Sequence, residues 1–235
     1  MNENNITNDL ALNAYSVVEK SGVAIQILSV APTSIELSYS TIDGNKPGEY
    51  GNYLAIWQSK SSIPWSKSPD TVQAISDSVQ SSGTISFDNV ELTDESYVVG
   101  YSVVPQAGSD NNFCALALVP EKSSQAQMQV QSLTIDLESI SSNTARINYQ
   151  ALAGYTPAAH NNWIGIWKGN PELYSAPPKY AQKVELDEDC GLVTFNGIKM
   201  LRDSTYTVGY FMSGWNADPQ KLIRSGLACK ITFRT

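Results

Sequence analysis

The sequence predicts an all-β protein made of two antiparallel β-sandwiches in tandem, produced by an internal duplication. Three observations carry this. Collinear segments recur at a nearly constant offset, short runs of alternating apolar residues are separated by turn residues throughout, and no sustained helical period interrupts them. The recurrence is direct. Gly51-Asn-Tyr-Leu-Ala-Ile-Trp57 returns as Asn161-Asn-Trp-Ile-Gly-Ile-Trp167, and Glu95-Ser-Tyr97-Val-Val-Gly-Tyr101 returns as Ser204-Thr-Tyr206-Thr-Val-Gly-Tyr210. Tyr39 and Tyr149 are 110 residues apart, as are Trp57 and Trp167; Tyr97 to Tyr206 is 109 and Phe87 to Phe195 is 108.

Residues 1–22 precede the first repeat and are expected to be an arm that docks only partly, with an amphipathic helix through Leu10, Ala14, Val17 and Val18 as the alternative. The first repeat spans 23–120. Its strands are read at Val23–Val30, Ser34–Thr41, Tyr53–Gln58, Gly83–Asp88, Ser96–Val104 and Phe113–Val119. Within Ser34–Thr41, Ile35, Leu37 and Tyr39 alternate with Glu36 and Ser38, and Asp43-Gly44 follows as a tight turn. The polar segment 121–131 is the linker. It is short, so the two sandwiches, each with its own core, are expected to touch or to move little. The second repeat spans 132–235, with strands at Ser132–Glu138, Thr144–Gln150, Asn162–Lys168, Gln182–Leu186, Leu192–Asn196, Thr205–Met212 and Gly226–Phe233.

Two local patterns assign structural roles. Trp57 and Trp167 each lie in the third strand of their repeat, where a sandwich core accepts one large ring between its sheets. Tyr97 and Tyr206 each follow a Leu and a polar turn, in Leu92-Thr-Asp-Glu-Ser-Tyr97 and Leu201-Arg-Asp-Ser-Thr-Tyr206, the setting of a tyrosine corner whose hydroxyl bonds back to loop backbone. The Leu-x-x-x-x-Tyr-x-Val run resembles that of fibronectin type III domains. Asn162-Trp-Ile-Gly-Ile-Trp-Lys168 is similar to the Asp-Trp-Ile-Gly-Leu/Ile-Phe-Lys motif of SKICH-type domains, with Asn162 standing in the Asp position. Both families are immunoglobulin-like sandwiches, and an immunoglobulin-like fold for each repeat is what the resemblance implies.

Charge and chemistry narrow the function. The chain carries a net charge of −8, with −7 on residues 23–120 and +1 on residues 133–235. No Lys/Arg cluster marks a nucleic-acid or anionic-membrane partner. No apolar run is long enough to span a bilayer, and the start shows no secretory signal pattern, so a cytoplasmic chain, or one exported without a cleavable signal peptide, is expected. Cys114, Cys190 and Cys229 are read as free thiols, and one histidine, His160, with three scattered cysteines falls short of a zinc site. His160 itself is read as a loop residue ahead of the third strand. Asp187-Glu-Asp189 is open to two readings, a calcium-holding loop end or a solvated turn. No nucleophile–base arrangement or phosphate-cradling loop is present, so no cofactor and no catalytic residue is assigned.

What stands out is aromatic residues in loops. Trp65 in Ile63-Pro-Trp-Ser, Tyr174 in Pro171-Glu-Leu-Tyr and Trp215 in Ser213-Gly-Trp-Asn-Ala-Asp supply rigid contact area of the kind used against sugars and protein surfaces. With Asn216 and Asp218 beside Trp215, these five residues form the candidate ligand site. The expected function is non-catalytic recognition of a glycan or a protein surface. The alternative is a structural, self-assembling or toxin-complex component that associates through edge strands; a hydrolase ranks behind both.

Overall fold

The computed structural model describes residues 15–235 except 77, 107–110 and 125–126. The expectations for residues 1–14 lie outside the described residues. Sixteen strands follow one another: β1 (Ser16–Gly22), β2 (Ala24–Ala31), β3 (Ser34–Ser40), β4 (Tyr53–Gln58), β5 (Thr71–Ala74), β6 (Ser82–Asp88), β7 (Tyr97–Ser102) and β8 (Ala115–Val119) make the first eight. The second eight are β9 (Gln129–Ser132), β10 (Thr134–Ile140), β11 (Thr144–Gln150), β12 (Trp163–Lys168), β13 (Tyr180–Lys183), β14 (Cys190–Asn196), β15 (Thr205–Phe211) and β16 (Leu227–Arg234), with a short 3-10 turn at Pro219–Lys221. Every pairing is antiparallel. Among the described residues, no helix is long and apolar enough to cross a membrane.

The sheets match strand for strand between the halves. β2-β3-β6 and β10-β11-β14 are three-stranded; β5-β4-β7-β8-β9 and β13-β12-β15-β16-β1 are five-stranded. In each half the alternate inward residues of the two sheets share one apolar cluster. Ile35, Leu37 and Phe87 meet Leu54, Ile56 and Val99, and Ile147 and Phe195 meet Ile164, Ile166 and Val208.

The halves exchange strands. β1 leads directly into β2 of the first half, yet it pairs along β16 of the second. β9 leads into β10 of the second half and pairs along β8 of the first. Each is the front end of one long extended run whose rear end lies in the other sandwich. The backbone N–H of Val23 on Ala228 and of Leu133 on Cys114 pin the two crossing points. The expected arm is therefore, from Ser16 onward, a strand of the second sandwich, and linker residues 129–131 are a strand of the first. The separate cores expected also differ from what is found. The inter-sheet cluster continues through the crossing, through Val104, Cys114, Tyr155 and Cys229.

The third-strand tryptophans occupy a different place from the one expected. Trp57 and Trp167 are 0% and 2% exposed, but they lie on the outer faces of the five-stranded sheets, opposite the inter-sheet core. Loops cover them. Trp57 Nε1 donates to Lys67 O at 3.1 Å and Trp167 Nε1 to Ala176 O at 3.0 Å. The reason is that β4 and β12 are buried on both faces, so a large ring can go to either. Gly165 is required beneath this layer: a Cβ there would lie 2.5 Å from the Trp167 ring.

Both corner tyrosines bond to the preceding loop. The Tyr97 hydroxyl accepts from the Thr93 N–H, and the Tyr206 hydroxyl from the Leu201 N–H, each at 2.8 Å. Tyr206→Phe orphans the Leu201 N–H, and equilibrium unfolding in urea should show a loss of about 1 kcal/mol.

Candidate functional site

The junction of the two halves is built by equivalent loops, 41–52 and 151–162. Each reaches across to the other half. Ile42 buries itself among Trp163, Trp167 and Phe211 of the second half, and Leu152 among Tyr53, Trp57 and Phe113 of the first. A buried asparagine closes each loop. Asn162 Nδ2 donates to Tyr155 Oη at 3.0 Å and Met212 O at 2.6 Å, and its Oδ1 accepts from the Tyr210 hydroxyl at 2.9 Å. Asn52 does the same for Val103 O and the Tyr101 hydroxyl at 3.1 and 3.0 Å. The Tyr155 hydroxyl then donates to Asn112 Oδ1 at 2.7 Å, tying the halves together.

Burial sets the titration of this junction. It pushes the Cys114 thiol up to about 12, and it raises the Tyr155, Tyr210 and Cys229 groups well above their ordinary values. A raised pKa keeps the proton bound in the folded chain after the unfolded chain has lost it. The stability from these groups is whole below the ordinary thiol value and drains away as pH rises through the folded one. Thermal melts should therefore fall from pH 9 to pH 11 with Cys114 intact, and the fall should be smaller in Cys114→Ala.

Beside this junction opens a cleft of about 320 Å³, lined by Trp65, Ser66, Lys67, Ser68, Asn111, Thr156 and His160. Trp65 is half-buried on the loop between β4 and β5. Its Nε1 donates to Ala153 O of the other half at 2.7 Å, and its ring lies 5.3 Å from that of Tyr155. The His160 ring stacks on the same Tyr155, with centroids 5.1 Å apart and planes at 10°. Asn111 is 7% exposed, and its Nδ2 donates to Trp65 O and Lys67 O, both at 3.0 Å, which fixes the Trp65 loop. Lys67 Nζ sits 2.8 Å from Asp70.

The other expected ligand residues go elsewhere. Tyr174 is a clamp on the opposite side of the junction: its ring stacks on Tyr50 at 5.6 Å and its hydroxyl faces Ile42 O at 3.5 Å. Burial raises its hydroxyl's pKa. Trp215 is half-buried against the Trp163 and Phe211 cluster, with its N–H on Asn161 O at 3.2 Å. Gly214 before it has φ +85°, and Ile223 would meet an added Cβ at 2.3 Å, so only glycine fits that turn. Asn216 Oδ1 accepts from the Asp218 N–H at 2.9 Å, and Asp218 Oδ1 accepts from the Gln220 N–H at 3.0 Å, capping the short turn. Tyr174 and Trp215 thus share one apolar cluster, while Trp65 belongs to another.

His160, Asn111, Lys67 and Thr156 were not among the residues the sequence singled out as ligand-binding. The cleft brings Lys67 and Asn111 of one half against Thr156 and His160 of the other, and no local pattern in the sequence reports that. Asp187 and Asp189 serve backbone: their carboxylates accept from the Ala159 and Gly154 N–H groups at 2.8 and 2.7 Å. Among the described residues, no group of three or more His, Cys, Asp or Glu is placed to hold a metal ion.

No family model matches the chain, and no curated protein is similar to it. Among solved structures, a purple acid phosphatase isolated from yellow lupin (Lupinus luteus) seeds is similar at 11% identity and a TM-score of 0.23. This chain is covered to 80% and spans 38% of that one, and at such a score the likeness bears on neither fold nor function.

Proposed function

We propose that the chain is a non-catalytic recognition protein, an internally duplicated immunoglobulin-like sandwich that binds a glycan in the cleft beside Trp65 and His160. One observation supports the reading above the rest. The cleft gathers a half-buried indole, an imidazole, an ammonium group, several hydroxyls and the Asn111 carboxamide on a frame held from both halves. Aromatic edges suit the C–H face of a sugar, and hydroxyls with a carboxamide suit its polar rim. The indole is already fixed by its bond to Ala153 O, so little order is lost on binding.

A glycan array on the full chain should yield a binder. His160→Ala and Lys67→Ala should each weaken that binder about tenfold or more while the melting temperature holds, as for anchors in a small polar site. An array with no signal above background would sink the reading. So would a binder indifferent to both substitutions.

A second reading, self-association through edge strands, is favoured by Val17 and Val18 on β1 and Val130 on β9, all exposed. A mass measurement in solution separates it from the first.

A further inference from the structure

The four sheets present eight edges among the described residues, and a sheet edge carries unpaired N–H and C=O groups that can template another strand. Six of the eight are guarded. β1, β2 and β10 each carry a shift of register, between Val17 and Glu19, Ile27 and Ser29, and Leu137 and Ser139, which bends the edge away from a would-be partner. β5, β9 and β13 are four residues long. The two that remain are β6 and β14, the outer strands of the three-stranded sheets, at equivalent places in the two halves. Each runs for seven residues and pairs with its inner neighbour in unbroken register.

Of these two, β14 is the better template. Its sequence, Cys190-Gly-Leu-Val-Thr-Phe-Asn196, contains no charge and no proline. Leu192 and Thr194 on its outer face are half-buried, and Cys190 and Asn196 at its ends are exposed. Among the described residues, no backbone group pairs with its far side. β6 ends on Asp88 and belongs to residues 23–120, which carry −7, so a copy of itself would repel it.

We propose that β14 pairs antiparallel with β14 of a second copy of this chain, joining two three-stranded sheets into one of six strands. The same edge serves both copies, so the contact closes as a twofold dimer and does not propagate. Pairing all seven residues fixes the register. Val193 faces Val193 of the other copy on the axis, Leu192 faces Thr194, Gly191 faces Phe195, and Cys190 faces Asn196. Charge agrees at both ends. The turn before β14 bears Asp187 and the turn after it bears Lys199, both exposed, and antiparallel pairing brings each turn against the other of the second copy. No residue of the Trp65 cleft takes part, so the inference stands whether or not a glycan binds there. It also places the contact away from β1 and β9.

Cys190 reports the register. Directly opposed residues have Cα atoms about 4.5–5.5 Å apart, within disulfide range. Asn196→Cys should therefore yield a covalent dimer on a non-reducing gel after mild oxidation, and adding Cys190→Ala should remove it. Within one chain these positions lie at opposite ends of one strand, about 20 Å apart, and Cys114 and Cys229 are buried, so no bond within the chain competes. The unaltered chain should sediment as a reversible dimer at rising concentration, with or without reductant. Leu192→Lys, a charge on the edge, should leave it monomeric, and Val18→Lys on β1 should not. Melting curves check that both variants fold, and Thr194→Lys replaces the first if it melts low. A monomer at every concentration, a dimer that Leu192→Lys leaves intact, or one that reductant dissolves overturns the proposal. So does failure of Asn196→Cys to cross-link, or a cross-link that survives Cys190→Ala. A dimer dissolved by Val18→Lys overturns it in favour of a contact on β1.

Discussion

Trp167→Ala should lower the stability of the chain by about 3 kcal/mol, read as a shift in the urea midpoint at constant slope. The ring is 2% exposed, lies 6.5 Å from Trp163 and 5.9 Å from Phe211, and is tied by Nε1 to Ala176 O. Its location decides the magnitude. A ring lost between two sheets leaves a cavity with rigid walls, at the high end of the range of about 3–5 kcal/mol for such truncations. Here one wall is the loop 169–179, which can settle into part of the space, so the low end is expected. A loss under about 1 kcal/mol would mean that the loop fills the cavity almost completely, and the outer layer would then contribute little to stability.

Asn162→Ala should cost about 2–4 kcal/mol, because it removes three hydrogen bonds at once from a buried site. The partners fare differently. The Tyr155 hydroxyl keeps Asn112, and Met212 O keeps the Asn112 Nδ2 at 3.0 Å. The Tyr210 hydroxyl keeps nothing, and it is completely buried. Asn162→Ala with Tyr210→Phe removes that orphan and should recover about 1 kcal/mol relative to the single variant. No recovery in the double variant would show that the Tyr210 hydroxyl is not the principal loss.

Much of the fold is legible in the sequence because its signal is local. Ile35, Leu37 and Tyr39 alternate with polar neighbours, and the strand they imply is β3 within one residue. The β12 segment, Trp163-Ile-Gly-Ile-Trp167, carries a different signal. An unbroken apolar run in a strand means burial on both faces, which is the clue that its tryptophans need not lie between the sheets. β5 went unread: Thr71–Ala74 is four residues, three half-exposed and one exposed, too short for a period. β1 could not be read either, since its first five residues are all exposed and its order comes from β16. The same limit governs the candidate site. Trp65 is conspicuous as a tryptophan in a loop, but its partner Ala153 is in the other repeat, and the face that Tyr174 turns to Tyr50 leaves no trace in its own neighbourhood.

The reciprocal strand exchange also dictates how the chain is assembled during synthesis. β1 leaves the ribosome before any other described strand, and its partner β16 is the last to appear. The first sandwich is complete once β9 has appeared, since its strands β2 to β9 are consecutive. Domain-by-domain folding, the usual protection for a nascent tandem protein, is open to the first sandwich, but the second must recover a strand made before the first began. Its most sequence-distant contacts form last, which makes for slow closure and a period during translation when the exposed valines of β1 have no sheet to join. The first of the described strands to be made is among the last to be placed.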